Sequence, residues 1–191
     1  MLVAHGENLF TMLRGGRHRY TDAEIKGILK STIVLTDTRE QANQHILTAL
    51  DEMGVTHRPM ALSFGDYSVM LPSQPDAGIT MDTYFDGEII IERKNSLDEL
   101  ASNFTAGRDR FKSEWLRSGS ARKYLLVEDS SGYGGILAHQ YRNNFSEKAF
   151  LASLLSFQSR YGLNVIFCDA AQAGCIVWSL LYYHVRFCLL G

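Results

Sequence analysis

Ile89-Ile90-Ile91-Glu92-Arg93-Lys94 is the stretch from which the fold can be read. Three β-branched residues in succession predict a strand buried on both faces, and a carboxylate, a guanidinium and an ammonium then stand at its end. Alternation along a strand puts Glu92 and Lys94 on one side and Arg93 on the other. A carboxylate can hold a hard divalent cation, and a neighbouring lysine can orient a water or neutralise a phosphate oxygen. Glu-x-Lys alone is equally the pattern of a solvated ion pair, so the decision rests on what the rest of the chain brings to this strand end.

Upstream, residues 32–35 are β-branched and apolar, a first core strand running into Asp37-Thr38-Arg39-Glu40, so acidic residues again sit where a buried strand ends. Residues 56–70 read as a strand or hairpin arm carrying Phe64-Gly65-Asp66-Tyr67, in which Gly65 predicts a bulge or bend that aims Asp66 out of the sheet. Residues 72–78 hold Pro72, Pro75 and Gly78 and read as a loop; residues 83–91 return as a strand. That order makes Asp66 and Glu92 neighbours across an antiparallel pair. Two carboxylates from adjacent strands with a lysine beside one of them suit a metal and a water, whereas a surface ion pair needs no partner so distant in sequence.

The helices follow from caps and periodicity. Thr21-Asp22-Ala23-Glu24 has capping-box spacing before a short stripe of Ile25, Ile28 and Leu29. Residues 41–53 carry Ile46, Leu47, Leu50 and Met53 at helical spacing, with Gly54 as the stop. Ser96-Leu97-Asp98-Glu99 opens a helix with Leu97, Leu100 and Phe104 on one face; Gly107 interrupts it before Phe111, Trp115 and Leu116. Residues 124–127 are a further strand ending at Glu128 and Asp129, and 130–135, with three glycines, read as a flexible loop. A helix over 146–161 with Phe150, Leu151, Leu154, Leu155 and Phe157 inward, a last strand over 164–168 and a closing helix over 170–190 complete an α/β chain with a mixed central sheet flanked by helices on both sides.

With 191 residues, 46% of them hydrophobic, the chain can bury a full core, and one domain over 21–191 is expected behind a mobile arm at 1–20. A net charge of −2 gives no global pull towards nucleic acid, so such binding must use local clusters: Arg14, Arg17, His18 and Arg19, or Arg108, Arg110, Lys112, Arg117, Arg122 and Lys123. Cys168, Cys175 and Cys188 are odd in number and lack Cys-x-x-Cys spacing, so they read as small core residues of a reducing compartment and not as zinc ligands. The apolar run 176–190, interrupted by His184 and Arg186, is short for a membrane span and reads as a buried helix or a subunit contact involving Trp178, Leu181, Tyr182 and Phe187.

With Asp37-Thr38-Arg39-Glu40, Gly65-Asp66-Tyr67 and Glu92-Arg93-Lys94 in that order, the chain resembles the nuclease domain of the XPF/Mus-type family of structure-specific DNA endonucleases. It is similar in layout to compact phage or bacterial members, and Arg110-Phe111-Lys112-Ser113-Glu114 resembles the family's run in the helix after the lysine. The resemblance implies a restriction-endonuclease-like (PD-(D/E)xK) core and metal-dependent hydrolysis of DNA phosphodiesters at branches, flaps or junctions. It also implies a cytoplasmic or nucleoid setting with no membrane, and a homodimer or a DNA-binding partner protein as possible company. The chain departs from many relatives in a longer hairpin between Asp66 and Glu92 and in carrying no helix-hairpin-helix pair after the nuclease domain.

The resemblance further implies that Asp66, Glu92 and the backbone carbonyl of Arg93 hold Mg²⁺, with Mn²⁺ substituting, while Lys94 orients the attacking water or stabilises the phosphorane-like charge. Asp37 and Glu40 complete the acidic cluster, by orienting the ligands or by holding another metal. For Glu40 the alternative is an acid favoured at a helix N-terminus. Arg39 is either a salt-bridge partner or a phosphate contact, Arg93 pairs with an acid or with DNA, and Arg108 and Arg110 either meet the DNA backbone or line a solvated face. Tyr67 is core or a stacking platform. The competing function is a catalytically silent DNA-binding scaffold, and a third is an enzyme acting on plain single or double strands.

Overall fold

The three isoleucines of the quoted stretch are each at most 1% exposed, and they form the first half of β5 (Ile89–Lys94) in a mixed seven-stranded sheet. In the computed structural model, residues 20–190 are described. The arm expected at 1–20 therefore lies outside the described residues except for Tyr20, whose hydroxyl donates to the Ala77 carbonyl at 2.8 Å while its ring packs on the core.

Chain order is α1 (Asp22–Leu29), β1 (Ile33–Asp37), α2 (Gln44–Glu52), β2 (His57–Met60), β3 (Tyr67–Leu71), a 3₁₀ turn (Pro75–Ala77), β4 (Thr83–Tyr84), β5, α3 (Leu97–Phe104) and α4 (Arg108–Arg117). Then come β6 (Arg122–Val127), α5 (Gly132–Leu137), α6 (Glu147–Tyr161), β7 (Leu163–Phe167) and α7 (Ala170–Leu190). The sheet runs β2-β1-β3-β5-β6-β7, with β4 paired to β3. β1 and β2 are parallel, β3 is antiparallel to both β1 and β5, and β6 and β7 continue parallel to β5.

Side-chain alternation sorts two cores. On one face Val34, Tyr67, Ile89, Ile91 and Leu126 pack against α1, α2 and α7; on the other Leu125 and Val127 pack against α3, α4, α5 and α6. A third, small cluster of Leu35, Leu62 and Met70 fills the second face beside β1. The caps fall where the sequence puts them. Thr21 makes both halves of a capping box, Ser96 and Ser146 accept from the N–H groups of Glu99 and Ala149, and Gly162 ends α6 with φ +66°.

Four expectations are corrected. The run 56–70 divides into an edge strand, β2, parallel to β1, and a core strand, β3, because the chain must cross over β1 between them. The run 83–91 is likewise two strands: Phe85 closes a turn by accepting from the N–H groups of Glu88 and Ile89, so four residues bulge out between β4 and β5. The glycine-rich loop is the short helix α5, and Gly135 is needed there for packing, since a Cβ would come within 2.9 Å of Leu97 Cδ1 and still closer to the Ser131 side chain. Leu116 and Leu155, expected inward, are 58% and 49% exposed.

The apolar run 176–190 is the later part of the 21-residue helix α7, which as a whole is long and apolar enough to cross a bilayer by length and composition. In this fold Val177, Leu181 and Val185 are fully buried against α2 and the sheet, while Tyr183 and Phe187 remain exposed.

Candidate active site

Backbone hydrogen bonds zip three strand ends together. The Asp37 N–H donates to the Asp66 carbonyl (2.8 Å) and the Asp66 N–H to the Ile91 carbonyl (2.9 Å). The Arg93 N–H then donates to Asp66 Oδ2 at 2.7 Å. With Tyr67 opposite Ile91, Asp66 falls opposite Glu92 across the antiparallel pair, as the sequence order implied. Because an odd-numbered residue of β5 turns both its N–H and its C=O towards β3, the Arg93 carbonyl leaves the strand on the Asp66 side.

Gly65 makes this approach possible. Its φ is +66°, and a Cβ there would meet Ile90 Cγ2 at 2.7 Å and the Ile91 carbonyl at 3.0 Å. The bend expected at Gly65-Asp66 is therefore a left-handed residue wedged against β5, and no other residue fits it without moving Asp66.

Glu92 and Lys94 emerge side by side. Lys94 Nζ donates to Glu92 Oε1 at 2.7 Å, lies 3.4 Å from Glu99 Oε1 and sits 5.6 Å from the centroid of the Phe111 ring. Burial opposes the charge on Lys94, but Glu92, Glu99 and Asp66 outweigh it, so the lysine is held as an ammonium well past its ordinary range. For the carboxyls the balance goes the other way. Burial and the Glu92 charge raise Asp66 far above the usual range against the pull of the Arg93 N–H and Lys94. Burial also raises Glu92, with Glu114 and Glu99 adding to it, although Lys94 draws it down. Two acids that resist ionisation beside each other are a cluster short of positive charge.

Asp37 is buried at 2% exposure but has its oxygens occupied. Arg39 donates through Nε (2.7 Å), its backbone N–H (2.8 Å) and Nη2 (3.1 Å), and the Leu62 N–H donates to Oδ2 at 2.8 Å. Burial pushes this carboxyl up, yet those donors outweigh it and hold Asp37 below the carboxylate range. Arg39 is thus tied at its head while 69% of its side chain stays exposed.

Arg93 turns to the opposite face, as alternation requires. Its side chain is 6% exposed and makes a two-pronged bond to Glu128, Nε to Oε1 at 2.7 Å and Nη2 to Oε2 at 2.6 Å, with Nη1 at 3.3 Å from Glu40 Oε1. His45 Nε2 lies 2.7 Å from Glu128 Oε1. All three guanidinium nitrogens are engaged by Glu128 and Glu40, which leaves little of the group for a phosphate. Glu128, His45 and Glu99 were missed as site residues. Glu128 stands at a strand end as Asp37 and Glu92 do, which was the one available signal; His45 and Glu99 gave none.

Arg108 packs over the Phe157 ring at 5.4 Å and donates to Ser153 Oγ at 3.1 Å, and Arg110 pairs with Glu114 at 3.0 Å, 86% exposed. Both guanidinium groups lie on the exposed side of α4, the helix that supplies Phe111 beneath Lys94. Tyr67 is fully buried, so it is core.

Residues 36–177 match the model of the ERCC4 domain. No curated protein matches the chain. Among solved structures it is similar to XPF from Aeropyrum pernix, at 22% identity and a TM-score of 0.58, over 81% of this chain and 65% of that one. The same protein in complex with DNA matches with the same values. The chain thus spans slightly under two thirds of the structures it matches, and the likeness at this identity is one of fold. With its mixed sheet, its helices on both faces and its restriction-endonuclease-like core, the chain belongs to the ERCC4 domain family.

Proposed function

We propose that the chain is a metal-dependent DNA endonuclease that hydrolyses a phosphodiester bond at branched, flap or junction DNA. The observation that carries this reading is the convergence of Asp66 and Glu92, both partly buried and both driven towards the neutral acid, beside an ammonium that Glu92 and Glu99 hold charged. A solvated strand-end ion pair would have neither burial nor a second carboxylate from β3.

The donor set fits a hard divalent cation. It consists of oxygens only, it carries uncompensated acidity, and the Arg93 carbonyl faces the same side. Asp66, Glu92 and that carbonyl would hold the ion, Mg²⁺ with Mn²⁺ as substitute, and the ion when bound would polarise the phosphate and acidify a water. Lys94, fixed by Glu92 and packed on Phe111, presents its remaining N–H bonds to the attacking water or to a phosphate oxygen. A preorganised cation aimed where charge develops is the kind of group whose removal costs about 10²–10³ in rate. Asp37 supports the site through Arg39 and the Leu62 backbone, and Glu40 through Arg93. Exposed Arg39, Arg108 and Arg110 supply phosphate contacts, with Arg93 kept for positioning. A role in the repair or recombination of prokaryotic or phage DNA, in the cytoplasm or nucleoid, follows from such a substrate.

The test is cleavage of labelled flap, fork, junction and linear DNAs with Mg²⁺, Mn²⁺ or EDTA. Metal-dependent cutting that favours branched over linear DNA supports the reading. Equal cutting of all substrates would move it to a processing enzyme for plain strands, and DNA binding without cutting under any metal would leave a scaffold.

A further inference from the structure

At the other end of β5, three side chains of ligating chemistry converge in a place that the proposed chemistry does not use. His184 Nε2 lies 3.5 Å from Glu88 Oε2, Cys188 Sγ lies 3.8 Å from His184 Nε2, and Cys188 Sγ lies 4.0 Å from Glu88 Oε2. His184 and Cys188 stand one turn apart on α7, and Glu88 ends the bulge between β4 and β5. From these three residues we infer a second metal site, separate from the Asp66–Glu92 pair, that takes one zinc-class divalent cation on Glu88, His184 and Cys188.

The spacing is that of a coordination shell. Metal–ligand bonds of about 2.0–2.3 Å at tetrahedral angles separate neighbouring ligand atoms by about 3.3–3.8 Å, and the three observed distances need to contract by only a few tenths. Burial is right for a closed site: His184 is 5% and Cys188 6% exposed, and the Glu88 side chain 17%. Among the described residues His184 Nδ1 is buried without a hydrogen-bond partner, while Nε2 faces Glu88 and Cys188, and Phe85 packs edge-on against the ring at 5.6 Å. Burial and the nearby Glu88 push the Cys188 thiol up to about 12, so a cation that takes this sulfur must expel its proton, one per ion bound.

Arg122 is a further charge acting on the cluster. Arg122 donates its backbone N–H to the Glu88 carbonyl, while its guanidinium lies over the Phe187 ring at 4.7 Å. His184 also lines a cleft with Arg122, Tyr124, Ser179, Leu180 and Tyr183. A thiolate, an imidazole and one carboxylate select a softer ion than the all-oxygen set at the other end of the strand. Glu88 lies about 13 Å from Glu92, four residues at roughly 3.3 Å each. Residues 184 and 188 also fall outside the stretch that matches the family. An ion here would staple the end of α7 to the turn that starts β5.

The probe is Co²⁺ added to the reduced, chelator-dialysed full chain and followed by visible absorption, with Zn²⁺ counted per chain after desalting. One thiolate-bound equivalent, with tetrahedral bands and a thiolate-to-cobalt charge-transfer band, is expected, retained in Glu92→Gln and undisturbed by excess Mg²⁺. Cys188→Ser and His184→Gln each weaken Zn²⁺ binding by at least about tenfold. The wild-type spectrum decides even where a variant fails to fold: saturation with Co²⁺ and no thiolate band overturns the site. So does Zn²⁺ binding unchanged in Cys188→Ser, or bound metal that disappears in Glu92→Gln.

Discussion

Replacing Glu128 by alanine removes the carboxylate that receives two of the three charged hydrogen bonds of Arg93. The pair is buried on both sides, with side chains 6% and 3% exposed, and among the described residues Glu40 at 3.3 Å would remain as the acid facing the guanidinium. Breaking a buried pair in this way costs about 3–5 kcal/mol, because one charge is left without compensation. For a chain of this size about 1 kcal/mol shifts the melting temperature by roughly 2–4 °C, so Glu128→Ala should melt about 6–20 °C below the wild type. Glu128→Gln keeps one acceptor oxygen and should lose less. The double variant Arg93→Met, Glu128→Leu, which replaces the pair with apolar side chains, should recover most of the loss in stability. Urea unfolding followed by circular dichroism measures all four proteins. Single variants that cost under about 1 kcal/mol would refute the reasoning, since the pair would then behave as a solvated surface bridge.

Other outcomes follow from the same geometry. Gly65→Ala adds a Cβ at 2.7 Å from Ile90 Cγ2 in a left-handed residue, so about 2–5 kcal/mol of stability and the alignment of Asp66 should go together, read by urea unfolding and by metal affinity. Burial raises the Asp66 and Glu92 carboxyls, with the Glu92 charge adding at Asp66 and the Glu114 and Glu99 charges at Glu92, so the folded chain holds protons that the unfolded chain has released. The contribution of this pair to metal-free stability is then greatest below the unfolded pKa, about pH 4, and falls away as pH rises through the raised folded values, opposite in sign to the contributions of Asp37 and Glu128. Asp66→Asn should remove part of that fall, and Mg²⁺ at about 100 times its Kd should add about 2.7 kcal/mol to the wild type and none to the variant, by thermal melts across pH. If the exposed Tyr183 and Phe187 of α7 mark a dimer contact, light scattering should give twice the chain mass of 21.5 kDa; a monomer at high concentration would refute that contact.

Local signals carried the sequence reading a long way. Thr21 and Glu24 form the capping box that their spacing implies, Ile89-Ile90-Ile91 is buried on both faces, and Lys94 meets Glu92 because a strand repeats every two residues. Gly65 was legible as a bend, although its reason, contact with Ile90, belongs to the pairing of β3 with β5. What failed was long-range. Arg93 and Glu128 are 35 residues apart, His45 and Glu128 are 83, and Glu88 and Cys188 are 100; no spacing rule links such residues before the sheet order is known. Cys188 read as core and His184 only as an interruption of the apolar run; they meet one turn apart on α7, but the carboxylate that completes the set comes from the turn before β5. Cys175, grouped with them as core, is exposed. The glycine-rich run became α5 because glycine at 135 serves close packing on α3, a need that composition alone does not reveal.

The most direct test of the central claim is the single-turnover cleavage rate of flap DNA at saturating Mn²⁺ for the wild type, Glu92→Gln and Lys94→Ala, with DNA affinity measured in parallel without catalysis in Ca²⁺. The account predicts unchanged DNA binding with cleavage lost in Glu92→Gln and slowed about 10²–10³-fold in Lys94→Ala. Both variants cutting within a few-fold of the wild type would contradict it, because the chemistry would then lie away from the end of β5.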